Sequence, residues 1–315
     1  MGNQTSSSAG PTPASSRYQS STIPDSFFAT TSTSSTSEKP PPYDTARHSS
    51  IKHADVSKST WTRIVFTSSD QKYFSLARKD VEAHTGALIP EGRDLRGVTL
   101  PETSTTLSTL FEFIGAQKHP KLLNENFESL AEIARAAEKY KVYSAMNTCC
   151  ERMRAFGDHH PKLVLLYAAY NDYPHIFDEC APRVVTSEKL EEFVPLLPDE
   201  FRLPWLRYHA IWSSALTEII SYKDIPADAW TKTCLWFGCW TECGGPIFHG
   251  LGAGVHSLND ISHIFTNLVE SHTKKCESCK TLCTKWEAHA SSVVEKIGVF
   301  TETCMTLDPL TKAKK

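Results

Sequence analysis

The residues best placed to do chemistry lie late in the chain. Cys234, Cys239 and Cys243 are followed, after a gap, by Cys276, Cys279 and Cys283. Thiolates are soft ligands, and zinc is commonly held by four of them. The run Cys276-Glu277-Ser278-Cys279 has the spacing of a zinc-ligand pair. The earlier group is looser, C-x4-C-x3-C. His272, Cys276, Cys279 and Cys283 fall at i, i+4, i+7 and i+11. On one helix they would make a stripe of about 16 Å, too long to surround one tetrahedral ion. A site would therefore need Cys276 with Cys279 or Cys283, plus two ligands from the 234–243 segment, such as Cys239 and Cys243. The preferred reading is plainer: these thiols pack as small hydrophobes, as free cysteines often do. No cofactor is then expected, with a structural zinc as the sharper alternative.

No catalytic set accompanies them. HExxH, GxSxG and the phosphate-binding P-loop are all absent. The run Gly250-Leu251-Gly252-Ala253-Gly254-Val255 has Val255 where a dinucleotide fingerprint needs glycine, and no strand precedes it. Thirteen histidines are scattered without a nucleophile beside them. His159-His160 precede a helix and read as a solvated cap. Nothing recommends an enzyme.

Two short motifs sit near the N-terminus. Met1-Gly2-Asn3-Gln4-Thr5-Ser6 fits the N-myristoylation pattern, with Gly2 as acceptor. One acyl chain binds membranes only marginally, and no polybasic run or nearby cysteine adds a second anchor. A chance match in a Ser-rich terminus is the plainer reading, and membrane binding is expected only if Gly2 is acylated. Pro40-Pro41-Pro42-Tyr43 is a PPxY sequence. Its prolines pre-form a polyproline II helix that an aromatic groove can take at small entropic cost, with Pro40, Pro41 and Tyr43 as contacts. The expected partner is a WW-domain protein; the competing reading is a stiff proline spacer.

Composition bounds the rest. Ser and Thr fill 23 of the first 58 positions. Such a stretch cannot bury enough apolar surface to offset its chain entropy, so residues 1–58 are expected to be disordered. The net charge of −3 argues against a general nucleic-acid binder. There is neither a membrane-length apolar run nor a secretory leader. Ten cysteines in that context point to reduced thiols in the cytosol or nucleus.

The elements that must position these residues follow from periodicity. Trp61 to Phe66 reads as a strand, Ser68-Ser69-Asp70-Gln71 as a turn and Tyr73-Phe74-Ser75-Leu76 as the return strand. A helix over about 79–88, a break at Pro90-Glu91-Gly92 and a third strand at Val98-Thr99-Leu100 come next. Leu107, Leu110, Phe111 and Ile114 then make an apolar stripe at helical spacing. Phe127, Leu130, Ala131, Ala134 and Ala137 make a second, with Asn124 or Asn126 as N-cap. Val142, Ala145, Met146, Cys149, Met153 and Phe156 make a third. Short links imply that these three helices pack as neighbours. Beyond Gly157 the pattern is helical. Leu163, Leu166, Tyr167 and Tyr170 form a stripe behind Pro161, and short helices are expected at 176–180 and 190–197. A longer helix covers 201–220 with Leu203, Leu206, Trp212, Leu216 and Ile219 inward, and Pro204 either in its first turn or forcing a later start. Gly244-Gly245-Pro246 and Gly250–Gly254 read as loop, Trp230, Trp236, Phe237 and Trp240 as buried, and 258–272 and 276–299 as closing helices. The fold class expected is α+β followed by an all-α region.

Some of these runs resemble a known family. Leu100-Pro101-Glu102 ahead of Thr106-Leu107 and Leu110-Phe111-Glu112-Phe113-Ile114 is similar to the centre of a BTB/POZ domain. So is Ala136-Ala137-Glu138-Lys139-Tyr140-Lys141-Val142, with Cys149 seven residues on, and so is Ser68-Ser69-Asp70 followed by Phe74. The likeness is to the divergent BTB proteins of fungi, in a superfamily that includes the small adaptor subunit of SCF ubiquitin ligases. It covers about 60–156. It implies a BTB/POZ-like domain at 59–157 between the tail and a helical region at 158–315. It also implies protein–protein binding: adaptor or scaffold work in ubiquitination or transcriptional regulation, with a cullin or a second BTB domain as partner. Two positions depart from the family pattern. Thr62-Arg63 stand where an Asp is usual, and Ala77 stands where Phe74-Ser75-Leu76-Ala77-Arg78 would carry a histidine. Homodimerisation of the familiar kind, and any cullin contact that depends on it, are in doubt on that account.

Overall fold

The computed structural model describes residues 63–89, 97–115, 118–222, 239–272 and 277–305, leaving out the side chains at 239–243, 267–272, 278 and 305. The tail at 1–58, Trp61, Pro90-Glu91-Gly92, Trp230, Trp236 and Phe237 lie outside it, as does the side chain of Trp240. The described chain is α+β: a three-stranded sheet followed by helices.

Alternation makes the sheet. In β1 (Arg63–Thr67), Ile64 and Phe66 point inward and are buried, while Arg63 and Val65 face out. The expected turn brings back β2 (Tyr73–Ala77), antiparallel, with Phe66 opposite Phe74. Gln71 takes a positive φ of 62° there. β3 (Val98–Thr99) lies on the other side of β1 and runs parallel to it, giving the order β2-β1-β3.

Helix α1 (Arg78–His84) stops short of the 79–88 expected from its sequence. Thr85 leaves the helix and bridges to Val142, and the amides of Gly86 and Ala87 donate to the carbonyls of Lys141 and Tyr140. Backbone pairing with a distant loop outweighs the four further residues of helix expected, to Leu88.

The three expected amphipathic helices are α2 (Ser104–Phe111), α3 (Phe127–Tyr140) and α4 (Tyr143–Arg154). Of the expected N-caps, Asn126 serves: its Oδ1 accepts the Ser129 amide at 2.8 Å. Lys141, in the left-handed region at φ 52°, ends α3 so tightly that α4 starts two residues later. All the stripe residues are buried except Met146 and Phe156, which are half-buried.

Four helical expectations are corrected beyond this point. Helix α5 (Pro161–Asn171) is not one-sided, because Val164 to Ala169 are all buried. Helix α6 runs from Pro174 to Ser187, through Pro182, well past the expected 176–180. Its hydrophobic positions Val184 and Val185 are buried and sustain the second half. The third case is the helix expected at 201–220. After α7 (Leu190–Phe193) and one 3-10 turn, α8 begins at Asp199 and contains Pro204 in its second turn. Its inward face is Trp205, Tyr208, Trp212, Ala215 and Ile219, leaving Leu203 and Leu206 exposed. The aromatic row buries more area than the leucine row, so it sets the rotation of the helix.

The fourth correction concerns Gly244-Gly245-Pro246, which lies inside helix α9 (Cys239–Leu251). Two glycines and a proline cost a helix several kcal/mol, of order 1 for each Gly and 3 for Pro. Burial of Ile247 and Leu251, together with a Phe248–Trp286 ring contact, supports the helix against that cost. Gly254, at φ 78°, then leads into a 3-10 stretch (Gly254–Asp260), helix α10 (Ile261–His272) and helix α11 (Glu277–Glu295). A short π-helical turn (Thr301–Met305) follows. Just before it, Phe300 is completely buried against Phe177, Trp205 and Tyr208, with ring centroids 4.6, 5.9 and 5.4 Å away.

Candidate interaction surface

The sheet has one packed face and one bare face. Inward, Phe66 and Phe74 meet the ring of Phe111 on α2 at 5.4 and 5.3 Å. The outward positions are Arg63, Val65 and Thr67 on β1, Tyr73 and Ser75 on β2, and Thr99 on β3. Tyr73 is 71% exposed and Val65 36%, a high exposure for an aromatic and a β-branched residue on one sheet face, where Tyr73 stands opposite Thr67 and diagonal to Val65. Arg63 lies across this face, donating through Nε to Ser75 Oγ at 2.9 Å and through Nη2 to the Ser75 carbonyl. Among the described residues β2 pairs only with β1, and no described strand lies along its outer edge.

Two carboxylates brace this sheet. Asp70 in the hairpin turn accepts the Ser104 amide at 2.8 Å and the Ser104 hydroxyl at 2.7 Å. Hydrogen bonds from Ser104 and Ser68 hold its carboxyl well below the usual range. Glu102 accepts Lys139 Nζ at 2.8 Å and the Tyr140 hydroxyl. The Ser69 amide donates to the Glu102 carbonyl at 3.0 Å. Burial, and then the Glu102 carboxylate, push the Tyr140 phenol up. The runs at 68–70, 100–102 and 136–142, distant in sequence, are thereby joined around Glu102. Spacing alone did not single out Glu102 or Asp70; their positions directly after a strand and within a turn were the available signals.

A third carboxylate joins this part to the helices after it. Glu138, buried on α3, accepts the hydroxyls of Tyr167 on α5 and Tyr173 just before α6. Lys141 Nζ lies 3.7 Å from its other oxygen. Burial is the main cause that pushes the neighbouring thiols up, Cys149 to about 12 and Cys150 to about 11. Thiols held protonated are poor nucleophiles and poor ligands. His159 is exposed, whereas His160 stacks on Phe127 at 4.0 Å rather than standing free as a solvated cap.

Gly2, Pro40, Pro41, Tyr43 and Cys276 lie outside the described residues. Cys239 and Cys243 are on α9, with side chains outside the description, and Cys279 and Cys283 are buried on α11. Among the described residues no group of three or more His, Cys, Asp and Glu side chains converges as a metal site, and no helix is long and apolar enough to cross a membrane. The chain matches no family model, and comparison with curated proteins and with solved structures gives no significant match.

Proposed function

We propose that this chain is an intracellular protein–protein interaction module: a BTB/POZ-like adaptor or scaffold at 59–157 with a helical region behind it, and not an enzyme. The bare sheet face, with Tyr73 and Val65 exposed beside the outer edge of β2, is the observation that carries this reading. A sheet that leaves an aromatic to solvent, with no described strand on its outer edge, suits a partner that adds a strand or lays an apolar side chain on it. Three further observations support it: the hairpin, the parallel third strand, and the joining of the Leu100–Glu102 and Ala136–Val142 runs through Glu102. Pro40, Pro41 and Tyr43 would recruit a WW-domain protein, and the sheet a second partner such as a cullin or another BTB domain, linking the chain to ubiquitination or transcriptional control.

Proximity labelling tests this with three forms of the full chain: wild type, Tyr43→Ala, and Val65→Asp with Tyr73→Asp. Tyr43→Ala should lose WW-domain proteins alone, and the sheet variant should lose a separate set. Partner sets unchanged in both variants would remove the proposal.

A further inference from the structure

The rings around Phe300 form a groove that the chain fills with a piece of itself. Its walls are Phe177 on α6 and Phe201, Trp205 and Tyr208 on α8. These rings also hold one another. Phe177 stacks on Phe201 at 5.1 Å, and Trp205 lies 6.0 Å from Phe177 and 5.9 Å from Tyr208. Phe193 of α7 backs Trp205 at 4.9 Å. Aromatic pairs at these separations attract one another, so the walls keep mutual support when the ring between them is withdrawn. Phe300 comes from elsewhere. It stands five residues beyond the end of α11, on the short segment that leads into the π-helical turn.

That segment is seated in the manner of a bound peptide. Phe300 and Cys304, at i and i+4, are buried, while Val299 and Glu302 are exposed. Asp178, next to Phe177 on α6, accepts the Thr301 amide through Oδ1 at 2.9 Å and the Thr301 hydroxyl through Oδ2. One carboxylate thus reads a main-chain N–H and a β-hydroxyl on the same residue, directly after the ring that fills the apolar box. Hydrogen bonds to a charged acceptor are short and directional, so they fix the register of what they hold. An i, i+4 anchor pair laid into a groove between helices is a recurring mode of peptide recognition. A single turn cannot stand as a helix alone, so the segment owes its form to the groove.

We infer that the groove between α6 and α8 is a peptide-docking site held closed in cis by Phe300–Cys304. Its occupant in trans is a partner's helical segment with an aromatic residue, serine or threonine next, and a small apolar residue four places after the aromatic. The groove is separate from the sheet surface, so either can fail while the other stands.

The test uses the full chain and a fluorescent peptide of the sequence 298–305, under reducing conditions. In wild type the tethered segment competes with the probe at high effective concentration. Phe300→Ala removes the anchor of that competitor, so this variant should bind the probe about tenfold or more tightly than wild type. A probe with the same Phe300→Ala change should bind neither chain, and adding Asp178→Ala to the variant should remove the gain. A second measurement needs no variant. In wild type, Cys304 should react with a thiol reagent faster than the equally buried Cys149. Its rate should barely respond to sub-denaturing urea, because local release exposes little surface. If Phe300→Ala does not fold, this labelling decides alone. Any of three results would overturn the inference: Cys304 and Cys149 labelled at one rate with one urea dependence, a folded Phe300→Ala chain that binds the probe no better than wild type, or a wild-type dimer that Phe300→Ala dissolves, which would assign the groove to a second copy.

Discussion

The phenol of Tyr173 donates its hydrogen to the buried carboxylate of Glu138, and Tyr167 donates to the same oxygen. One side chain of α3 thus satisfies two from the helices that follow, and Arg154 with Glu179 adds a second tie at 2.7 Å on the surface. The exposed ion pair contributes little. The buried carboxylate matters more, because removing it leaves the phenols of Tyr167 and Tyr173 without their acceptor. Glu138→Ala should cost about 2–6 kcal/mol in urea unfolding, from about 1–3 for each phenol left without its acceptor, and Tyr173→Phe about 1. A Glu138→Ala loss within about 0.5 kcal/mol of zero would mean the joint is dispensable.

Asp70 should give the sheet an acid dependence. Its folded carboxyl sits below the ordinary 3.8, so its contribution is present above that pH. The contribution decays as pH falls below 3.8, because the unfolded chain then takes up the proton first. Thermal melts of wild type and Asp70→Asn from neutral to acid pH should converge at the acid end. Parallel curves would show that Ser104 gains nothing from the charge.

At alkaline pH the sign is opposite. Burial pushes Cys149 to about 12, and Cys150 and Cys180 to about 11, from an ordinary 9.0. Their protonated forms stabilise the fold in full below pH 9, and that contribution is lost as pH rises toward 11–12. The buried phenols of Tyr140, Tyr167 and Tyr173 act in the same direction. Labelling of Cys149 by a thiol reagent near neutral pH should be limited by opening of the fold. Labelling as fast as in denaturant would contradict its burial.

The rotation of α8 can be read from adjacent positions. Trp205→Ala removes a side chain from the cluster around Phe300 and should cost about 3–5 kcal/mol. Leu206→Ala, on the exposed side, should stay within about 0.5. Comparable losses at the two positions would require a different rotation.

Asn126→Ala should cost about 1 kcal/mol by leaving the Ser129 amide without its cap, and Asn126→Asp should recover most of that. No difference between the two variants would argue against side-chain capping of α3.

What the sequence determined alone is what neighbours along the chain can decide. Alternation at Arg63–Phe66 and the turn at Ser69-Asp70 specify a hairpin, and Asn126 with the stripe from Phe127 to Ala137 specifies a capped amphipathic helix. These signals act within a few residues, so nothing distant had to be known. Tertiary structure decided the rest. α1 ends at Thr85 because Gly86 and Ala87 find backbone partners at Tyr140 and Lys141. Gly244-Gly245-Pro246 is helical because Ile247, Phe248 and Leu251 have α10 and α11 to pack on. Trp205 faces inward because Phe300, almost a hundred residues later, completes its cluster. In each case burial against a remote element outweighs a local preference, and that contest is settled only when the chain is folded.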